Sequence, residues 1–328
     1  MYPSFNVNLG PIKLSYIINL LSPREIVGLQ GQSEFSDFVG VNNLQDLDNS
    51  ISFVYENFNQ INILPKKGNF IVSKRVKDKF LDFENLIIVD NVHEAVAKLS
   101  SIFYRDIGDA DINLEQDIIF GNNCTISSNA IIKKGVNIGN DSIIKDGVVI
   151  NNNCIIGNNV LIEENTVISN VIIGDNVKIG RNTSIGQPGF GFALSDSCNH
   201  KIYHLGRVIL HSNVNIGSNC CIDRGSFGDT IIGENTFFDN LCHVAHNVIV
   251  GNNCVFAAMA GIAGSSKIGD SVIAGGQVGI AGHLNVGNNV LIAAKSAVLK
   301  NIDENSSVMG NPAIDKYKYI RKYKKLYG

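Results

Sequence analysis

The sequence predicts a mostly β protein whose body is a parallel β-helix of hexapeptide repeats, with a small α+β domain ahead of it and a helix behind it. The first observation is a period of six. Ile232, Phe238, Val244, Val250, Phe256, Ile262, Ile268, Ala274, Ile280, Val286, Ile292 and Val298 are all apolar. This period is neither the 3.6 of a helix nor the plain alternation of a strand. It marks short strands wound into coils, with one apolar residue per strand pointing inward. The second observation is the 32 glycines and the abundant asparagines, residues that tolerate the left-handed backbone of tight corners. The third is that the period is confined: it is missing before about residue 105 and stops at Gly310. Three strands to a coil take about 18 residues, so side chains 18 apart in sequence stack along one face.

The elements follow in order. Residues 1–105 form the α+β domain. Ile12 to Leu21 reads as a short amphipathic helix, and Ile51–Tyr55, Phe70–Val72 and Leu86–Val89 read as strands. Asn91 with Glu94 three residues later is an N-cap and capping-box pair, opening a helix that runs through Phe103. Residues 106–310 form the β-helix. The frame starts near Phe120 and continues through Ile126, Ile132, Ile138, Ile144, Ile150, Ile156, Ile162 and Ile168. It slips by one residue and resumes at Ile173, Ile179 and Ile185. It then breaks from Gln187 to Arg207, returns at Leu210, Ile216 and Ile222, and breaks again over a four-residue insertion around Gly225 to Asp229. Loops ejected from a regular solenoid are where function tends to sit. Residues 311–328 form a C-terminal helix: Pro312 suits a first turn, and Tyr317, Ile320, Tyr323 and Tyr327 fall roughly on one face. Lys316, Lys318, Arg321, Lys322, Lys324 and Lys325 make it strongly basic, either as a solvated surface or as a docking patch for an acidic partner.

Composition narrows the function. A formal charge of −3 gives no basic field that would attract nucleic acid. No apolar run is long enough for a transmembrane helix, and the start lacks the layout of a signal peptide. Of seven cysteines, Cys124, Cys154, Cys220, Cys242 and Cys254 each precede an inward position by two residues, which reads as a small buried thiol rather than a disulfide or metal ligand. Buried free thiols fit a reducing, cytoplasmic compartment.

Among seven histidines, His246 has the surroundings of a catalytic group. Val244 points inward, so His246, two residues on, falls at a corner where its side chain reaches solvent. One coil further lies Gly264, whose bare N–H is placed to donate to an oxyanion. The next coil brings Gly282 beside His283. His243 and His246 sit at different offsets from the inward row, so a zinc site within one subunit is not expected; a His₃ site shared between subunits is the alternative.

Several stretches in this order and spacing resemble one family: Gly189-Phe190-Gly191-Phe192, Gly206-Arg207-Val208, Ile222-Asp223-Arg224-Gly225, Asp239-Asn240, Ala245-His246-Asn247, Gly275-Gly276-Gln277, Ala281-Gly282-His283 and Gly310-Asn311-Pro312-Ala313. Together they are similar to the UDP-3-O-acylglucosamine N-acyltransferases of lipid A biosynthesis, and the resemblance covers essentially the whole chain. It implies a homotrimer of left-handed parallel β-helices. It also implies transfer of a 3-hydroxyacyl group from acyl carrier protein to the 2-amine of a UDP-3-O-acylglucosamine. It makes His246 the general base, Asp239 the acidic residue that orients it, Gly264 the oxyanion donor and His283 a second active-site histidine. Asn240 lies beside Asp239 in a matching stretch and is a substrate-binding candidate. The resemblance places uridine-nucleotide binding in the first domain, with Phe53 as the aromatic that stacks on uracil and Phe58 a candidate second aromatic. No metal or redox cofactor is implied; 4′-phosphopantetheine arrives on the carrier protein. The sequence departs from the family pattern at His243, where Gln is common, and at Gln187-Pro188, where Ser-Asp is frequent. Two other functions remain open: an acetyl-CoA-dependent sugar-nucleotide acetyltransferase on the same solenoid, and a non-enzymatic β-helix scaffold.

Overall fold

The computed structural model describes residues 5–41, 44, 46–106, 117–194 and 198–327, with the side chains of all of these except 106 and 327. The chain forms two compact units, one made of Asn6–Ile107 with Gly191–Leu205, the other of Gly108–Phe190 and Gly206–Gly328 with the extreme N-terminus.

The larger unit is a left-handed parallel β-helix. Three sheets run along it among the described residues, with nine, eleven and nine strands, parallel except for the final pair of the eleven, Ser307–Met309 with Ile314–Asp315. Coil registers confirm the 18-residue repeat: Val244 pairs with Ile262, and Ile262 with Ile280. Every member of the Ile232–Val298 series is buried, as are Ile138 through Ile185 in the earlier frame and Leu210, Ile216 and Ile222 after the break. These side chains form one continuous core. Phe120 departs from expectation: it is 49% exposed. Its strand, Ile119–Phe120, is at the end of its sheet and has a coil on one side only, so half of its burying surface is missing. Cys154, Cys220, Cys242 and Cys254 are buried free thiols in a second inward row, and Cys124, near the same open end, is half-buried.

The corners show why Asn and Gly are both plentiful. The left-handed positions are mostly taken by Asn, such as Asn159, Asn219 and Asn253. Glycine has a different task. A Cβ on Gly139 would lie 2.6 Å from the backbone of Gly157 in the next coil. Glycine in that slot lets coils stack at strand spacing, which the expectation of left-handed corners did not capture. Asn side chains stitch the corners together: Asn140 Oδ1 accepts from the Asn122 N–H and Asn158 Oδ1 from the Asn140 N–H, each at 2.8 Å.

The smaller unit carries a five-stranded sheet in the order Glu25–Val27, Asn85–Val89, Asn69–Ser73, Ser50–Val54, Asp37–Gly40. The helix α1 (Leu14–Leu21) follows a short strand at Ile12–Lys13. The helix α2 (Val92–Phe103) is capped as expected, with Asn91 Oδ1 accepting from the Glu94 N–H. The period break at Gln187–Arg207 resolves into a strand extension, Ser184–Pro188, and a hairpin, Phe192–Leu194 with Asn199–Lys201. The hairpin belongs to this smaller unit, where Asn91 Nδ2 donates to the Leu194 carbonyl.

The C-terminal helix α3 (Lys316–Tyr327) has all six of its predicted basic side chains exposed. Tyr317, Ile320 and Tyr323 are also exposed; the side chain of Tyr327 lies outside the described ones. No helix among the described residues is long and apolar enough to cross a membrane.

Candidate active site

His246 stands at the corner after the strand His243–Val244, half-buried and outside the core. Its corner is built on Asn247, which adopts the left-handed backbone, φ 60°. The Asn247 N–H donates to Thr230 Oγ1 at 2.9 Å, and its Nδ2 donates to the Gly228 carbonyl at 2.9 Å. That second bond fixes which amide atom is oxygen. Asn247 Oδ1 accepts from the Ser226 N–H at 3.0 Å and the Ser226 hydroxyl at 2.7 Å. The four-residue insertion at Gly225–Asp229 is thereby tied to the histidine's own corner. His246 Nδ1 lies 3.1 Å from this same oxygen. An oxygen can only accept, so Nδ1 carries the proton in the neutral ring, and Nε2 presents its lone pair.

Gly264 meets the Cε1–Nε2 edge of the ring. A Cβ there would fall 2.8 Å from His246 Cε1 and 2.9 Å from Nε2, so no side chain fits between backbone and imidazole. The Ser265 N–H donates to the His246 carbonyl at 2.9 Å, locking the two corners in register. The coil arithmetic that paired His246 with Gly264 therefore corresponds to a contact.

Both residues line a pocket of about 570 Å³, with Phe190, Asp223, His243, Ile262, Ala263, Ile280, Ala281, Ala297 and Leu299 among its walls. Its floor is a bare row. His243, Gly261, Gly279 and Ala297 are successive outward positions on adjacent coils, and nothing lies within 4 Å of a Cβ built on Gly261 or Gly279. An apolar trough thus leads from the histidines across three coils.

Asp223 is the carboxylate of this pocket, and the sequence reading gave it no role. It is 6% exposed. Its Oδ1 accepts from Gln187 Nε2 at 2.8 Å, and its Oδ2 lies 3.7 Å from His243 Nε2. Gln187 is itself held, because Ser184 Oγ donates to its Oε1 at 2.8 Å. Burial pushes the Asp223 carboxyl up; the His243 charge, the Gln187 hydrogen bond and the His246 charge, in that order, pull it back down. A Cβ on Gly189 would lie 3.0 Å from Asp223 Oδ2 and 3.1 Å from His246 Cβ, so Gly189 lets the chain pass beside both. The motif arginines secure this region. Arg207 forms a two-point ion pair with Asp229, at 2.7 and 3.1 Å, and the fully buried Arg224 donates from Nε to the Gly206 carbonyl at 2.7 Å. A signal for Asp223 did exist. Ile222 and Val244 are 22 residues apart, one 18-residue coil plus the four-residue insertion, and that sum places Asp223 one coil from His243 and His246.

The other expected residues lie elsewhere. Asp239 and Asn240 occupy the preceding corner of the same coil, not that of His246. Asp239 Oδ1 accepts from the Asn240 N–H at 2.7 Å and from Asn240 Nδ2 at 2.9 Å, while Asn240 Oδ1 accepts from the Ser218 N–H at 2.8 Å. Within one chain these are corner-stitching contacts, and the structure does not bring Asp239 to the imidazole; Asn247 holds the ring instead. His283 is exposed with φ 60°, and its N–H donates to the Gly264 carbonyl at 3.0 Å; it sits behind the oxyanion candidate but does not line the pocket. Phe53 needs correction as a stacking platform. It is 5% exposed, packed against Phe38 and Tyr55 with ring centroids 5.4 and 5.0 Å away. Alternation on a central strand buried on both faces gave no hint of this. Phe58 is half-buried against a core cluster. The smaller unit has its own polar pocket of about 430 Å³, lined by Glu56, Asn57, Arg75, Asp90, Asn91, Val92 and His93. Tyr55 stacks on His93 there at 4.3 Å.

The family model for bacterial transferase hexapeptide, six repeats, matches residues 153–187 and 229–264. A protein named UDP-3-O-acylglucosamine N-acyltransferase from Caulobacter vibrioides is 49% identical over 77 residues, 24% of this chain and 23% of that protein. One named UDP-3-O-acylglucosamine N-acyltransferase 2 from Rhodopseudomonas palustris is 41% identical over 75 residues, 23% of this chain and 20% of that protein. The matches thus span about a quarter or less of these relatives' length. Among solved structures, UDP-N-acetylglucosamine acyltransferase from Campylobacter jejuni has a TM-score of 0.53 and 26% identity, covering 62% of this chain and 83% of that one. The enzyme of that name from Bacteroides fragilis has a TM-score of 0.54 and 25% identity, covering 60% and 77%. The chain carries the hexapeptide repeats of bacterial transferases, and the resemblance read from its motifs is shared by its curated relatives.

Proposed function

We propose that the chain is an N-acyltransferase that moves a 3-hydroxyacyl group from acyl carrier protein to the 2-amine of UDP-3-O-acylglucosamine. The observation that carries this reading is His246 in the wall of an apolar trough, with the Gly264 backbone against the Cε1–Nε2 edge of its ring. A thioester is already activated, so the protein has only to take a proton from the attacking amine and stabilise the oxyanion. One imidazole serves the first need at neutral pH, and a backbone N–H serves the second. The trough, floored by Gly261 and Gly279, suits an extended acyl chain better than an acetyl group. The smaller unit would hold the uridine nucleotide, with Asn57, Asn91 and Arg75 of its polar pocket as donors. The compartment that fits the free buried thiols is the cytoplasm. Incubating the protein with acetyl-CoA and with carrier proteins loaded with chains of different lengths tests the donor. Transfer from acetyl-CoA alone would favour the sugar-nucleotide acetyltransferase.

The same reading includes a homotrimer. Phe237, Val255, Ile273 and Leu291 form an outward apolar row on four successive coils, each 42–50% exposed. An unbroken stripe of this kind suits an interface with another copy. Light scattering is expected to return three copies, and Val255→Asp to weaken the assembly and the activity together. A fully active monomer would remove the basis for the trimer.

The exposed cations of α3 are the proposed docking charges for an acidic carrier protein. No ion pair involves them among the described residues. Rim charges act mainly on association rate and salt dependence. Lys318→Glu with Lys322→Glu should raise the KM for the loaded carrier severalfold with less change in kcat. An unchanged KM and salt response would return α3 to a solvated helix.

A further inference from the structure

We infer that Asp223 is the residue that selects an amine as acceptor: its open carboxylate oxygen takes the second N–H of the attacking nitrogen while His246 takes the first. This rests on the acyltransferase reading. Asp223 is the one carboxylate in the walls of the pocket that holds His246. It is 6% exposed. Its Oδ1 accepts from Gln187 Nε2 at 2.8 Å, and among the described residues no hydrogen bond reaches Oδ2. His243 Nε2, at 3.7 Å, is beyond hydrogen-bond range.

The backbone presents the carboxylate in this way. Where the six-residue period breaks, Gly186 takes φ 84° and the strand Ser184–Pro188 bulges against its neighbour, so that Gln187 pairs with Asp223. Bulges re-aim side chains beside active sites. Ser184 Oγ donates to Gln187 Oε1 at 2.8 Å, which turns the amide nitrogen toward Asp223 and fixes Oδ1. Oδ2 is left beside Gly189, whose missing Cβ would fall 3.0 Å from it and 3.1 Å from His246 Cδ2. The carboxylate oxygen and the imidazole edge thus flank the same bare α-carbon. A buried carboxylate oxygen without a donor is costly, and a substrate N–H offsets that cost.

Amine and hydroxyl acceptors differ in the protons they bring. The nitrogen of a primary amine bonds to the thioester carbon and becomes positive with two hydrogens. His246 Nε2 takes one and passes it to the sulfur, which departs with the C–S electron pair as a thiol. The other hydrogen stays on nitrogen and becomes the amide N–H. Asp223 Oδ2 accepts from it throughout, and its charge stabilises the positive nitrogen as it forms. An attacking hydroxyl carries a single proton. Once His246 takes it, Asp223 is left as a buried charge against an oxygen lone pair. A site built to hydrogen-bond a substrate N–H rejects an analogue lacking it for this reason.

The test uses the full chain in excess over the carrier-protein thioester, with two acceptors: UDP-3-O-acylglucosamine and its analogue with a 2-hydroxyl in place of the amine. Asp223→Asn keeps the shape and, through its oxygen, the Gln187 bond, but turns an N–H donor toward the acceptor. Amide formation should fall about 10²-fold, while ester formation from the hydroxyl analogue changes no more than a few-fold and the melting temperature holds. Gln187→Met leaves the carboxylate in place but frees it to turn, and should lower the amide-to-ester ratio several-fold. Should Asp223→Asn melt well below the parent, the ratio in Gln187→Met decides. Unchanged amide formation, or equal losses with the two acceptors, would overturn the inference and leave the acyltransferase reading standing. Failure of the parent to acylate UDP-3-O-acylglucosamine would overturn both.

Discussion

His246→Ala is expected to lower kcat for acyl transfer by about 10²–10⁴-fold, the usual contribution of a positioned general base, with assembly and melting temperature intact. The stability half follows from position. His246 is at a corner, half-buried, and outside the core row that ends its strand at Val244. Its Nδ1 bonds Asn247, whose amide keeps Ser226 and Gly228 after the imidazole is gone. The activity half follows from Nε2, the pocket's one imidazole nitrogen with its lone pair assigned by a hydrogen bond elsewhere in the ring. Loss of kcat and kcat/KM in equal measure would mark an interaction made in the transition state. A rise in KM alone would make His246 a binding residue.

Ile268→Asp is expected to produce a lesion of the opposite kind, about 4 kcal/mol or more of stability, in the range reserved for buried unpaired charge. Ile268 is 3% exposed in the continuous core, between Val250 of one coil and Val286 of the next. A carboxylate there has no partner in the core cluster. The coils on either side stack directly on it, so the defect reaches its nearest neighbours first, as expected of a repeat fold. Thermal melting followed by circular dichroism measures it. A variant that melts with the parent would show the inward register to be wrong.

Much of this molecule was legible because a solenoid makes sequence separation into distance. The period of six set the inward row from Ile138 to Val298, and the period of 18 set the contact of Gly264 with His246. The legibility fails where the period does. Asp223 was hidden by the four-residue insertion that lengthens its coil, and Asn247 by looking like any other corner asparagine. The role of Asp239 came from the resemblance, and within one chain its corner is not the corner of His246. Phe53 failed for a different reason. The smaller unit has no repeat to stack, so the place of Phe53 in the resemblance could not be checked against a coil, and its strand is buried on both faces.

The acceptor atom is the most direct test of the central claim. The solved neighbours are named for acyl transfer to UDP-N-acetylglucosamine, and the curated relatives for N-acylation of UDP-3-O-acylglucosamine. The purified protein should be given hydroxyacyl carrier protein with each sugar nucleotide, and the products read by mass spectrometry before and after mild alkali. The account predicts one new acyl group on UDP-3-O-acylglucosamine, alkali-stable as an amide, and its loss in His246→Ala. An alkali-labile ester on UDP-N-acetylglucosamine, or no transfer to either, would contradict it.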